Sequence, residues 1–124
     1  MQFVSNKGMN FIDRGDAHAI DFTAGDFTID ASWYDLDLSS IVPNGAKAVL
    51  LRCYTTLSCG VFFMNFRTKG NVNGINVAAI GETDIGGLQG NDLIVFCDVN
   101  RIIQYMGLKT GNAWFNVTIG GWWI

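Results

Sequence analysis

The sequence predicts an all-β protein, an antiparallel β-sandwich of about eight strands with a jelly-roll-like arrangement. Short runs of β-branched and aromatic residues alternate with polar residues, and Gly-, Asn- and Asp-rich turns interrupt these runs. No stretch keeps the 3.6-residue period of a helix. Two sheets packed face to face accommodate such strands, and a closed barrel is the alternative.

The first half of the chain contains four predicted strands after an irregular start. Residues 1–19 show no clean period, so we expect either an extended N-terminal arm or a flexible terminus, followed by a single domain over residues 20–124. Leu36 and Leu38 alternate with Asp35 and Asp37, which is typical of a half-buried strand. Strands are predicted over residues 20–23 with a continuation over 27–29, and over 33–38, 46–56 and 61–67.

The second half of the chain contains shorter runs and more glycine. Its predicted strands cover residues 75–79, 93–97, 101–106 and 113–119, with a glycine-studded loop over 80–91. All five residues of the segment 93–97 are apolar, so both faces of a strand at this position are apolar. This predicts a strand that is covered on both sides.

The composition favours self-association. Hydrophobic residues make up 49% of the chain and charged residues 15%, so part of the surface is expected to be covered by another subunit. The net charge of −3 and the scattered basic residues argue against a nucleic-acid partner. No apolar run is long enough to span a membrane, and residues 1–12 lack the features of a secretory signal, so we expect synthesis in a cytoplasm without export by that route.

The residues that could carry catalysis or bind metal form no clear site. His18 has Asp16 and Asp21 as sequence neighbours and could act as a base, but no nucleophile can be placed beside it, so a surface loop histidine is expected. Cys53, Cys59 and Cys97 lack the spacing of a zinc site or of a disulfide framework. We therefore predict no catalytic residue, no cofactor and no metal site.

The aspartates between residues 13 and 37 could supply oxygen ligands to calcium, although their spacing differs from that of an EF-hand. Aspartates that face solvent on strands and turns explain this cluster better than a calcium site does.

Two short motifs in the chain are explained without function. Arg14-Gly15-Asp16 matches the tripeptide that integrins bind, but a match of three residues is expected by chance. Asn116-Val117-Thr118 spells a glycosylation acceptor, but it lies within a predicted strand.

Five aromatic or apolar residues are the candidate binding or interface residues. Trp122 and Trp123 could close the core, contact another subunit or stack on a ligand. The strand over residues 61–67 is apolar enough to indicate a face covered by neighbouring subunits, through Phe62, Met64 and Phe66.

Two stretches resemble small β-sandwich domains of tailed-bacteriophage and prophage virion proteins. Residues 31–52 contain Trp33-Tyr-Asp-Leu-Asp-Leu38, a Pro43-Asn-Gly45 turn and Ala48-Val-Leu-Leu-Arg52, and the chain ends on Gly120-Gly-Trp-Trp123. The resemblance implies a virion component of the capsid-decoration, head-fibre or tail-fibre type, and such domains are commonly trimeric. It names no catalytic residues.

We therefore expect a non-enzymatic structural protein of a bacteriophage virion, made in the host cytoplasm and packed on its own copies, as a trimer, and on other virion proteins. A glycan- or receptor-binding module at a fibre tip is the first alternative. A small glycan-acting enzyme is the second. A cupin-like metal enzyme needs several histidines, and this chain has one.

Overall fold

The computed structural model describes residues 8–16, 20–57, 60–83, 87–111 and 113–124. Over these residues the protein is all-β, as the sequence predicts, and one short 3-10 turn, Ala24–Asp26, is its helical element. The strands are β1 (Phe11–Asp13), β2 (Phe22–Thr23), β3 (Tyr34–Asp37), β4 (Ala48–Leu57), β5 (Val61–Thr68), β6 (Ala78–Thr83), β7 (Gly87–Phe96), β8 (Ile102–Thr110) and β9 (Ala113–Trp123).

These strands form two antiparallel sheets. The first sheet has the order β1-β9-β4-β7, and β2 lies beside β1 on the same edge of β9. The second sheet has the order β3-β8-β5-β6. From β3 onward the chain passes from one sheet to the other at every connection except the one between β5 and β6, so the core is built from residues distant in sequence.

The core lies between the inner faces of the two sheets. Phe115 of the first sheet is at its centre, with its ring centroid 5.2 Å from that of Phe62 and 6.5 Å from that of Phe66. The predicted alternation in β4 is confirmed, because Val49 and Leu51 are fully buried. Burial of such side chains contributes about 1.5–3 kcal/mol each.

The predicted interface residues of β5 belong to this core. Phe62, Met64 and Phe66 expose 1% of their surface or less. Their apolar face is covered by the first sheet of the same chain, so these side chains are inaccessible to a partner while the two sheets stay packed together.

The glycine-rich segment over residues 80–91 is the main departure from the predicted elements. Its described residues are not a loop: β6 extends to Thr83, β7 begins at Gly87, and β7 pairs with β4 along ten residues. Gly90 lies under the ring of Tyr54, because a Cβ added there would stand 3.3 Å from the Tyr54 Cε1 atom. Glycine has a low β-propensity, but the backbone pairing with β4 and the packing of the Tyr54 ring over Gly90 stabilise this strand.

The other departures are smaller. The predicted continuation over 27–29 is not a strand, although Phe27 packs into the core. Strand β9 runs on to Trp123, past its predicted end, and β4 pairs with it through a register shift at Leu50 and Leu51. Gly121 allows β1 to lie close, since a Cβ there would be 2.5 Å from the carbonyl oxygen of Ile12.

Part of the segment predicted as an N-terminal arm lies in the first sheet. β1 pairs with the end of β9, and Arg14 donates hydrogen bonds to the Asp21 carboxylate and to the Ile119 carbonyl oxygen. Residues 1–7 and 17–19 lie outside the described residues.

Candidate interaction surface

The outer face of the first sheet is the candidate interaction surface. Directly opposed residues of antiparallel strands lie on one face, and successive residues alternate between faces, so the register defines this surface. It comprises Phe11, Ala48, Leu50, Arg52, Tyr54, Thr56, Leu88, Gly90, Asp92, Ile94, Phe96, Trp114, Asn116, Thr118 and Trp123.

Large apolar side chains are exposed across this outer face. Leu88 exposes 68% of its surface, Ile94 55%, and Phe96 and Trp114 52% each. Tyr54 is also half exposed. The sequence predicts that residues 93–97 are covered on both faces, but within the described residues the outer face of β7 is uncovered. Such a group of neighbouring apolar side chains is typical of a contact site.

The two C-terminal tryptophans lie on opposite sides of the first sheet. Trp122 is opposite Val49 and packs against the core from inside. Trp123 is opposite Ala48 on the outer face, where its ring centroid is 4.8 Å from that of Phe11. Of the two, Trp123 therefore belongs to the candidate surface, and its exposure is limited by Phe11.

The centre of the outer face carries a few polar groups. Arg52 Nε and Asp92 Oδ1 are 3.9 Å apart and both side chains are more than half exposed, so this ion pair is loose. Asn116, opposite Tyr54, is 8% exposed, and its Oδ1 atom has no hydrogen-bond partner within the described residues.

The outer face of the second sheet is different, because its polar groups bind one another. Gln104 donates from Nε2 to Asp35 Oδ1 at 2.9 Å, and Arg67 donates from Nε to Gln104 Oε1 at 2.9 Å. Lys69 also donates to Asp35, and the Arg67 guanidinium lies 3.8 Å from the centre of the Trp33 ring. Hydrogen bonds from Lys69 and Gln104 lower the pKa of Asp35 below its usual range.

The described thiols are placed as small apolar groups. Burial raises the pKa of Cys53 to about 12, and burial also raises the pKa of Cys97. Both are therefore protonated at neutral pH, which makes them weak nucleophiles and weak metal ligands. Cys59 lies outside the described residues.

The aspartates of the N-terminal third accept hydrogen bonds from nearby turns or from distant strands, as three of them show. Asp21 holds Arg14 and accepts from the Ile119 N–H group, and Asp26 accepts from the Thr23 N–H group at 2.8 Å. The arginine of the Arg14-Gly15-Asp16 tripeptide is therefore already hydrogen-bonded within the protein. Within the described residues no three His, Cys, Asp or Glu side chains lie close enough to hold a metal ion. His18 falls outside those residues.

Sequence reasoning missed Tyr54, Ile94, Phe96 and Trp114 as surface residues. A usable signal was present in β7, where apolar residues on both faces of an edge strand require a second cover. Trp114 gave no such signal, because its exposure depends on which side of β9 faces the second sheet.

No protein-family model matches the chain, and no curated protein matches it. In the part of the chain that the structure describes, no helix is long and apolar enough to cross a membrane.

Proposed function

We propose that this protein is a non-enzymatic structural component of a bacteriophage virion that packs on neighbouring virion proteins through the outer face of the first sheet. The exposed apolar surface of β7, β4 and β9 is the observation that carries the proposal. Exposure of apolar surface to water is unfavourable, and covering it with a partner stabilises the complex by about 25 cal/mol per Å² of apolar area buried.

The area of the outer face supports a role in assembly. Its three long strands, β4, β7 and β9, lie about 4.8 Å apart and are about ten residues long, so they span roughly 14 by 33 Å, or about 470 Å². Covering such a face buries on the order of 900 Å² in total, which is in the range of weak or transient protein contacts rather than of a standard stable interface.

The strand order supports a jelly-roll interpretation of the two sheets. With β1 and β2 taken together as the first strand, the sheets combine strands 1-8-3-6 and 2-7-4-5 of an eight-strand series. This is the order that two interlocked Greek keys produce. The resemblance of residues 31–52 and of the Gly120–Trp123 ending to phage virion domains supports a bacteriophage virion as the particle.

The experiment is binding to purified virions of the phage whose genome encodes the chain. The chain is added to particles that lack it, and bound protein is measured after sedimentation. We expect Phe96→Glu to reduce bound protein at least about tenfold, since it places a charge in the apolar contact.

The matched control is Leu108→Glu, which alters a partly exposed leucine on the second sheet. We expect it to bind as the parent chain does. Failure of the parent chain to bind particles would contradict the proposal, and equal losses in both variants would contradict the assignment of the surface.

A second candidate function is glycan binding on the same outer face. Tyr54 and Trp114 are half-exposed aromatic residues on neighbouring strands, with Arg52, Asp92 and Asn116 beside them. Aromatic rings stack on the apolar faces of sugars while polar groups bind the hydroxyls. Trp114→Ala would then abolish binding to a glycan array, whereas Leu108→Glu would preserve it.

A further inference from the structure

Strand β7 forms a long open edge of the first sheet. It is ten residues long, whereas the other edge strands, β1, β2, β3 and β6, have three, two, four and six residues. Within the described residues no strand pairs with the side of β7 that faces away from β4.

The sequence of β7 lacks the features that usually block an edge. Its residues include neither lysine nor proline, its one charge is Asp92, and its ladder with β4 has no register shift. The Cys97 N–H group donates to the Lys47 carbonyl oxygen. By alternation, the backbone groups of Gly90, Asp92 and Ile94 then point away from β4.

There is also space beside this edge. A cleft of about 310 Å³ borders Ile94, Val95 and Phe96 and lies between this end of β7 and residues 66–68 and 76–78. This end of β7 therefore has open space on a side that β4 does not occupy.

Asn91 gives an independent indication of an absent partner. It is opposite the buried Cys53, so its side chain lies on the inner face of the first sheet. Its Nδ2 group is buried and has no hydrogen-bond partner within the described residues. Such a donor is rarely left unpaired in a finished assembly.

The charge of Asp92 excludes one register for a second copy, and the unpaired Nδ2 group of Asn91 favours another. An antiparallel pair of identical strands keeps outer residues opposite outer residues only when its two-fold axis passes through a residue. An axis at Asp92 places two carboxylates opposite each other, which is unfavourable. An axis at Asn91 places Gly90 opposite the partner's Asp92, and Leu88 opposite the partner's Ile94.

We propose that β7 pairs with β7 of a second copy, antiparallel about a two-fold axis at Asn91, and so joins the two first sheets into one. The two Asn91 side chains then oppose each other, with Cα atoms roughly 4.5 Å apart in a non-hydrogen-bonded pair. Each Nδ2 group can donate to the partner's Oδ1. This inference rests on the proposed assembly function and names a second copy as one of its partners.

A cysteine scan tests the register. Asn91→Cys, Asp92→Cys and Leu93→Cys are each made with Cys53→Ala, because Cys53 is opposite residue 91 in the same chain, and are oxidised mildly beside the Cys53→Ala chain as the parent. Covalent dimer is measured on non-reducing gels. We expect Asn91→Cys to form several times more dimer than the other chains, because it alone meets its own copy at disulfide distance. Dimer formed preferentially through Asp92→Cys, or no dimer above the parent chain, would overturn the proposal.

A proline variant tests the edge without relying on Asn91. Asp92→Pro removes an N–H group that points away from β4, so the monomer keeps its ladder. Asp92→Ala is the matched control, because it removes the same carboxylate and keeps the N–H group. We expect Asp92→Pro to raise the dimer dissociation constant at least about tenfold and Asp92→Ala to leave it nearly unchanged. Circular dichroism checks that both variants fold.

Virion binding separates this inference from the proposed function. Light scattering of the parent chain should give a dimer, and a trimer or a monomer at micromolar concentration would overturn the edge pairing. A parent chain that is monomeric but binds virions would overturn the pairing alone. A parent chain that dimerises but does not bind virions would leave the pairing supported and contradict the proposed function.

Discussion

The two outer faces of this protein differ in whether their exposed side chains are polar groups that bind one another or apolar groups without cover. On the second sheet, Asp35, Lys69, Gln104 and Arg67 bind one another in a chain that ends on the Trp33 ring. On the first sheet the exposed residues are mainly apolar, and Arg52 and Asp92 are only loosely paired.

This difference between the two outer faces favours one of them as the contact side in the proposed assembly. A face whose polar groups are already bonded loses favourable hydration if a partner covers it, whereas a face of uncovered apolar groups gains free energy. This contrast supports the first sheet as the proposed contact side, and the β7 edge lies on that same sheet.

The largest expected effect compares neighbouring residues on the two sides of β9. Phe115→Ala should lower the free energy of unfolding by about 3–5 kcal/mol, because it leaves a cavity between the sheets. Trp114→Ala should lower it by about 1 kcal/mol or less, because half of that side chain already contacts water.

Urea unfolding of both variants at a concentration where the chain is monomeric measures this difference. Equal losses would mean that Trp114 packs on the domain itself, and the contrast between the inner and outer sides of the first sheet would disappear.

An intermediate effect compares one arginine from each outer face. Arg67→Ala removes the contact with the Trp33 ring and the hydrogen bond to Gln104, so we expect a loss of about 1–2 kcal/mol. Arg52→Ala removes a 3.9 Å pair between exposed groups, so we expect a change within about 0.5 kcal/mol. Chemical unfolding of the two variants checks the ranking, and the reverse order would show that the second face is not held by its network.

The smallest effect is the pH dependence of the second face. The pKa of Asp35 is lowered from its usual value of 3.8 by hydrogen bonds from Lys69 and Gln104. The network therefore adds stability above pH 3.8, and that contribution is lost as the pH falls through the lower pKa of the folded state.

The difference in unfolding free energy between the parent chain and Asp35→Asn measures this contribution. It should be small at pH 7, because the groups are exposed, and it should shrink below pH 3.8 and in high salt. A difference that grows as the pH falls would contradict the assignment.

The fold class and most strands could be predicted from the sequence because burial on one face leaves a period of two. Leu36 and Leu38 against Asp35 and Asp37, and Val49 and Leu51 in β4, follow this period and are buried as expected. The first half of β7 could not be predicted, since its glycines gain strand structure only from pairing with β4 and from the ring of Tyr54.

The candidate surface was predicted only in part. Trp123 was named from the sequence and lies on the outer face, whereas Trp122 packs inward and Phe62, Met64 and Phe66 fill the core. An apolar side chain has the same sequence signature whether its cover comes from its own chain or from another, so these two cases could not be separated.

The sequence by itself determined an all-β chain, because alternation and turn residues are local properties of the backbone and side chains. The tertiary structure alone decided which apolar face stays uncovered and which strand stays at an edge. Those properties depend on how sequence-distant strands pair: β5 is covered by the first sheet, while β7 has β4 on one side and no described strand on the other.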